Sequence, residues 1–180
     1  MSQERPISTY IISDTHWNHE EMFTALSRPK DYGMLIIRRW KATVTENDLV
    51  LHLGDVIWDK QLELKGILDS LPGRKILVKG NHDKRSDNWY MNNGFSFSCD
   101  NLVYKNILFS HLPMNIPEGI ELNIFGHWHD IARERWEPTL KTLLTKKHKL
   151  FTLEDTKYMP VKLERFLELK TRDLLGEELS

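Results

Sequence analysis

Apolar, β-branched runs along this chain keep stopping at the same kind of residue. Tyr10-Ile11-Ile12-Ser13 leads into Asp14-Thr15-His16, Leu49-Val50-Leu51-His52-Leu53 into Gly54-Asp55, and Ile76-Leu77-Val78-Lys79 into Gly80-Asn81-His82-Asp83. Ile107-Leu108-Phe109-Ser110 ends at His111, and Leu122-Asn123-Ile124-Phe125 ends at Gly126-His127-Trp128-His129. Short apolar runs bounded by turn residues read as buried strands. The strand fixes a position, glycine lets the chain turn sharply, and the polar residues fall in the crevice at the strand's carboxyl end. Five such ends predict one cluster of Asp, His and Asn side chains on one rim.

Between the strands the period changes. Glu20–Leu26 reads as a helix stopped by Arg28-Pro29, because proline disfavours helical backbone in the residue before it. A second helix over Gly33–Val44 carries Met34, Ile37, Trp40 and Val44 at helical spacing, with Trp40 as core. A third over Lys60–Leu71 presents Leu64, Ile67, Leu68 and Leu71, and Pro72-Gly73 breaks it. A short helix ends at Asn93-Gly94. Residues 95–110 alternate as two or three antiparallel strands with turns at Asp100-Asn101 and Lys105-Asn106. The basic stretch 130–149 reads as loops and a ribbon, with a solvated face ahead of a substrate-facing basic patch, and 150–153 as one more strand. Pro160 starts a helix carrying Leu163, Phe166, Leu167 and Leu174, with Gly176 near its end. Helices alternate with strands first and strands cluster later, which predicts an α/β fold of two packed sheets with helices outside.

Composition narrows the class without naming it. The 180 residues fit a single domain over 1–180, with 40% hydrophobic and 28% charged residues. A net charge of −1 gives no global field toward nucleic acid or membrane. The single cysteine, Cys99, cannot form an internal disulfide, and neither a leader nor an 18-residue apolar span is visible. A soluble, cytoplasmic protein is expected; its oligomeric state is not legible.

The strand-end set is what two divalent cations require. Carboxylate, imidazole and amide donors suit Mn, Fe or Zn, and no thiolate is offered. A carboxylate bridges two such ions, which activate water and clamp the oxygens of an in-line displacement. Gly-Asp or Asp-x-His alone is weak evidence; Gly-Asn-His-Asp and Gly-His-x-His are rarer, and all five in order are specific.

On these motifs the stretch Tyr10–His129 resembles the calcineurin-like metallophosphoesterase superfamily, in its small bacterial and phage-type form. The resemblance implies a four-layer α/β/β/α sandwich of two mixed sheets and a dinuclear centre. One metal would be held by Asp14, His16, Asp55 and His129, the other by Asp55, Asn81, His111 and His127. It also implies that His82 is a non-ligand group protonating the leaving oxygen, and that Mn²⁺ is the metal expected in vitro, with Fe or Zn as alternatives. The Gly-Asp-x-x-Asp-Arg-Gly signature of protein serine/threonine phosphatases is missing, since Val56-Ile57-Trp58-Asp59-Lys60 follows Asp55.

Other residues carry a functional and a bland reading side by side. His19 reaches the phosphate or is an exposed helix start. Arg28 replaces the missing phosphate grip or is a surface arginine, and Lys84 attracts an anion or is merely solvated. Asp83 orients His82 or caps a helix, His52 is a satisfied core histidine, and Trp128 is a packing residue or a pocket wall. The expected activity is hydrolysis of a small nucleotide-like phosphate ester, a phosphodiesterase before a monoesterase. Nuclease or nucleic-acid end-processing activity is the alternative, and a non-catalytic scaffold fits least because no ligand is lost.

Overall fold

The computed structural model describes residues 6–58, 64–129, 135–170 and 174. Two mixed sheets face each other. The first holds β1 (Thr9–Ile12), β2 (Leu49–His52), β3 (Arg74–Val78), β4 (Phe97–Cys99) and β9 (Val161–Lys162), in the order β4-β3-β2-β1-β9. All its pairings are parallel except β1 with β9. The second runs β5 (Asn101–Tyr104), β6 (Ile107–Ser110), β7 (Leu122–Phe125), β8 (His148–Leu150), with only β5 antiparallel to its neighbour. The layers follow from strand alternation. In β1, Ile11 turns toward the second sheet with Leu51, Phe109 and Ile124, while Tyr10 and Ile12 turn toward the helices.

The helices on that outer face are α1 (Met22–Ala25), α2 (Tyr32–Thr43), α3 (Leu64–Asp69) and α4 (Asp87–Asn92). Trp40 is fully buried and its indole N–H donates to Pro72 O at 3.0 Å, as its place in the apolar pattern requires. The buried stripe of α2 is Tyr32, Ile36 and Trp40; Met34, expected inside, is 59% exposed. Starting the helix one residue earlier makes Tyr32 its first anchor, and four-residue steps from there miss Met34. On the far side of the second sheet, Phe125, Leu150 and Trp128 pack with Trp136 and Leu144 around α5 (Pro138–Lys141).

Two strand assignments differ from the sequence reading. The strands in 95–110 are not one meander: β4 joins β3 in the first sheet, and the chain crosses at Asp100 so that β5 and β6 begin the second. The β5–β6 hairpin does turn at Lys105-Asn106, both left-handed (φ 50° and 59°), the pairing that suits a two-residue hairpin. Pro160 precedes β9, and α6 (Leu163–Glu168) follows it; Gly176 and residues 59–63 and 130–134 lie outside the described residues. The strand expected at 150–153 ends at Leu150. Among the described residues no helix is long and apolar enough to cross a membrane.

Candidate metal centre

The carboxyl ends of β1, β2 and β3 from one sheet and β6 and β7 from the other meet at one rim. Backbone bonds lock the loops there: Asp14 N–H donates to Gly54 O (2.9 Å), His16 N–H to Asp55 O (3.0 Å) and Gly126 N–H to His111 O (3.1 Å). Two clusters of donor atoms result, Asp14/His16/His129 and Asp55/His111/His127, each with its atoms within 4.8 Å of one another. Asp55 stands between them, Oδ2 lying 3.5 Å from His16 Nε2 and 3.3 Å from His111 Nε2. Asn81 Oδ1 is 2.9 Å from His111 Nε2. Asp14, His16, Asp55, His127 and His129 all adopt positive φ, between 38° and 74°. Non-glycine residues held there cost of order 1–3 kcal/mol each, and such positions cluster at functional sites.

The donor set fits divalent cations. Asp14 Oδ2 accepts His127 N–H, while Oδ1 is buried with no hydrogen-bond partner, as is His16 Nδ1. A buried carboxylate oxygen left bare is costly unless a cation faces it. His111 Nδ1 donates to Leu53 O at 2.7 Å, which turns Nε2 to the cluster. His127 presents Nδ1, because Nε2 is held by Glu137 Oε1 at 3.0 Å. Burial holds His16 well below its ordinary pKa, so it stands as a neutral donor. Burial alone would raise Asp55, but the hydrogen bond and charge of His111, then His16, keep it below the usual carboxylate range.

Close approach explains the glycines. A Cβ on Gly80 would sit 2.1 Å from Asp55 Oδ1, and one on Gly54 (φ 97°) 2.5 Å from Gly80 N. Gly80→Ala should therefore displace the carboxylate between the clusters and lower Mn²⁺ affinity at least about tenfold, a shift of roughly 1.4 kcal/mol. Gly66→Ala, with nothing within 4 Å in α3, should bind metal normally and gain about 0.5–1 kcal/mol in urea unfolding. Normal Mn²⁺ titration of Gly80→Ala would remove this role for the glycine.

The remaining candidates lie in different settings. His82 is at the rim, its side chain 38% exposed, Nε2 3.9 Å from Asp55 Oδ2 and its backbone N–H on Asp55 Oδ1 (2.9 Å). His19 is buried rather than exposed; its ring stacks on Trp58, and Nε2 lies 3.6 Å from the Glu21 carboxylate, just beyond hydrogen-bond distance. Lys84 is exposed, with its backbone N–H on His82 O. Arg28 is turned inward. It is 3% exposed, its Nη2 lies 2.7 Å from Glu154 Oε1 and 3.1 Å from His129 Nδ1, and Nη1 bonds Thr15 O. Glu154, four residues past β8 with its side chain 8% exposed, captures the guanidinium, so Arg28 supports a site histidine from behind.

Burial would raise Glu154, but His129 and Arg28 hold it down to about 2. The pair's contribution is thus complete above about pH 4.5, the ordinary glutamate value, and is lost as pH falls from there toward 2. Arg28→Ala should destabilise the metal-free protein by about 3–5 kcal/mol at pH 7, the cost of orphaning a buried partner. Unchanged urea unfolding with only a raised KM would instead make Arg28 a substrate contact.

Other side chains settle into supporting roles. Asp83 neither caps a helix nor touches His82; it accepts N–H bonds from Asp55 (2.7 Å), Val56 (3.1 Å) and Gly80 (2.8 Å), tying two loops, and Ser86 caps α4. His52 Nδ1 accepts Gly54 N–H and Nε2 donates to Thr15 Oγ1, a satisfied core histidine whose burial lowers its pKa to about 3. Trp128 is buried, stacked on Trp136 at 4.3 Å, with its N–H on Glu137. Glu137 and Glu154 escaped the sequence reading. Glu154 had a signal, since Leu150-Phe151-Thr152-Leu153-Glu154 repeats the apolar run ending in an acid. Glu137, in the charged stretch, had none.

Two packed mixed sheets with paired carboxylate–imidazole clusters at their shared rim define a dinuclear metallohydrolase class. The chain belongs to the calcineurin-like phosphoesterase family, whose model matches residues 7–168. The family is one of metal-dependent phosphoesterases with a dinuclear site, matching the two clusters here. An uncharacterized protein of Methanocaldococcus jannaschii is 33% identical over 96 residues, covering 49% of this chain and 54% of that protein. The gene 66 protein of Mycobacterium phage L5 is 29% identical over 82 residues, 42% of this chain and 40% of that protein. The matches thus span about half or less of these curated relatives. The crystal structure of a protein of unknown function from Aquifex aeolicus superposes with a TM-score of 0.70 at 27% identity, covering 92% of this chain and all of that one.

Proposed function

We propose that this phosphoesterase is a phosphodiesterase acting on a small nucleotide-like ester. The observation that carries the reading is where the guanidinium groups go. Arg28 is paired with Glu154, and Arg85, just past Asp83, lies 5.5 Å over the Trp89 ring. Among the described residues these two guanidinium groups are engaged by other side chains, which favours a monoanionic diester over a dianionic monoester. Asp14, His16, Asp55, Asn81, His111, His127 and His129 would hold two ions, Mn²⁺ in vitro by the hard and borderline character of the donors. Two such ions, when bound, supply Lewis acidity and an activated water.

The chain supplies the rest. Asp55 fixes the spacing of the clusters and orients the His82 backbone through Oδ1. His82, exposed at the rim, gives its proton to the leaving ester oxygen as the P–O bond breaks. His19, buried next to His16 with Nε2 3.6 Å from the Glu21 carboxylate, and Lys84, exposed after His82, are the groups we assign to phosphoryl oxygens. The test is a Mn²⁺-reconstituted comparison of bis-(4-nitrophenyl) phosphate and cyclic nucleotides with 4-nitrophenyl phosphate and a single-stranded oligonucleotide. Higher kcat/KM on the small diesters is expected. A monoester preference would overturn the reading, and an oligonucleotide preference would replace it with a nuclease.

A further inference from the structure

Among the described residues, Trp58 is the one large side chain at the rim that is both exposed and held in place by a stacked ring. It is 45% exposed, yet its indole lies flat on the His19 ring, centroids 3.8 Å apart and planes within 3°. Its backbone is fixed as well, with Trp58 N–H bonded to Trp17 O and an isolated bridge between Trp17 and Ile57. His82 lies 4.5 Å from the indole at a tilt of 52°, and His16 lies 6.3 Å away. Other exposed apolar residues such as Ile7, Met34 and Val103 sit singly on the surface and need no explanation. An indole held still beside the metal centre presents a π-surface whose ordering cost is already met before a ligand arrives.

We infer that Trp58 is a stacking platform for the nucleobase carried on the leaving group. The inference rests on the phosphodiesterase reading and on His82 as proton donor. Protonation at His82 puts the leaving oxygen on the Trp58 side of the metals, so whatever that oxygen carries passes over the indole. A neutral planar ring suits the surface. A quaternary ammonium, the other ligand that indole attracts, would be repelled by the cation centre. The Glu21 carboxylate beside the platform is 82% exposed to solvent and already faces His19 Nε2 at 3.6 Å. His19 then has a second use: it backs the platform and thereby sets its height above the rim.

The experiment compares two cyclic diesters that share the reacting ring and an alkyl leaving oxygen, adenosine 2′,3′-cyclic phosphate and glycerol 1,2-cyclic phosphate. Stacking of a base on an aromatic side chain implies that Trp58→Ala lowers kcat/KM on the adenosine ester by about five- to a hundredfold. The loss on the glycerol ester should be much smaller, and Trp58→Phe should recover most of the adenosine activity. Equal losses on both esters would reduce Trp58 to a support for His82 and overturn the platform. If the wild-type protein cleaves neither ester, the phosphodiesterase reading fails, and binding alone decides the platform. Calorimetric titration of the Mn²⁺-loaded protein with adenosine 5′-monophosphate and with glycerol 3-phosphate should then show tighter binding of the nucleotide, and Trp58→Ala should abolish the difference. No such difference in the wild type would overturn the inference.

Discussion

Asp55→Asn is expected to abolish turnover more completely than any other single change at the rim. Among the described residues, Asp55 is the one carboxylate within 3.5 Å of both imidazole clusters, and its other oxygen holds the backbone that positions His82. An amide of the same shape fails in three ways. It carries no charge to offset two cations, it has one acceptor oxygen instead of two, and its NH₂ must face either the His82 N–H or His111. Removing one preorganised electrostatic group costs on the order of 10²–10³ in rate. A bridging position affects both ions, so kcat/KM at saturating Mn²⁺ should fall by at least the upper end of that range. Bound Mn²⁺, counted by calorimetry, should drop from two per chain to one or fewer, with far-UV circular dichroism unchanged. Near wild-type turnover with two ions still bound would sink the dinuclear assignment of this carboxylate.

The sequence carried the centre because every donor follows a strand, and strands are the easiest elements to recognise locally. Asp14, Asp55 and His111 follow the ends of buried strands by one to three residues, so their positions follow once the sheets form. What lay hidden was set by partners distant in the chain. Arg28 and Glu154 are 126 residues apart and meet only because the chain beyond β8 and the segment between α1 and α2 come to the same rim. Nothing local to Arg28 distinguishes a guanidinium aimed at phosphate from one captured by a buried acid. His19 likewise looked like a helix start, and its burial depends on Trp58 folding back over it. The sheet crossing at Asp100 has the same origin: alternation marks β4 and β5 as strands, but sheet membership is decided by pairing with Leu77 and Phe109, which periodicity cannot see.

His82→Ala should separate proton transfer from metal binding. His82 belongs to neither donor cluster, and its side chain is the more exposed partner where it faces Asp55. Mn²⁺ stoichiometry and affinity should therefore stay at wild-type values. A general acid contributes about 10²–10⁴-fold, and its worth grows as the leaving oxygen becomes more basic. A ribose or alkyl oxygen leaves poorly without a proton, whereas nitrophenolate leaves unaided. The loss in kcat/KM should accordingly approach that full range on adenosine 2′,3′-cyclic phosphate and stay below about tenfold on bis-(4-nitrophenyl) phosphate. His82→Gln keeps bulk against Trp58 but cannot give up a proton, so it should match the alanine variant on the ribose ester. Glutamine restoring ribose-ester activity, or equal losses of alanine on both esters, would mean that His82 acts by filling space or by charge rather than by giving up a proton.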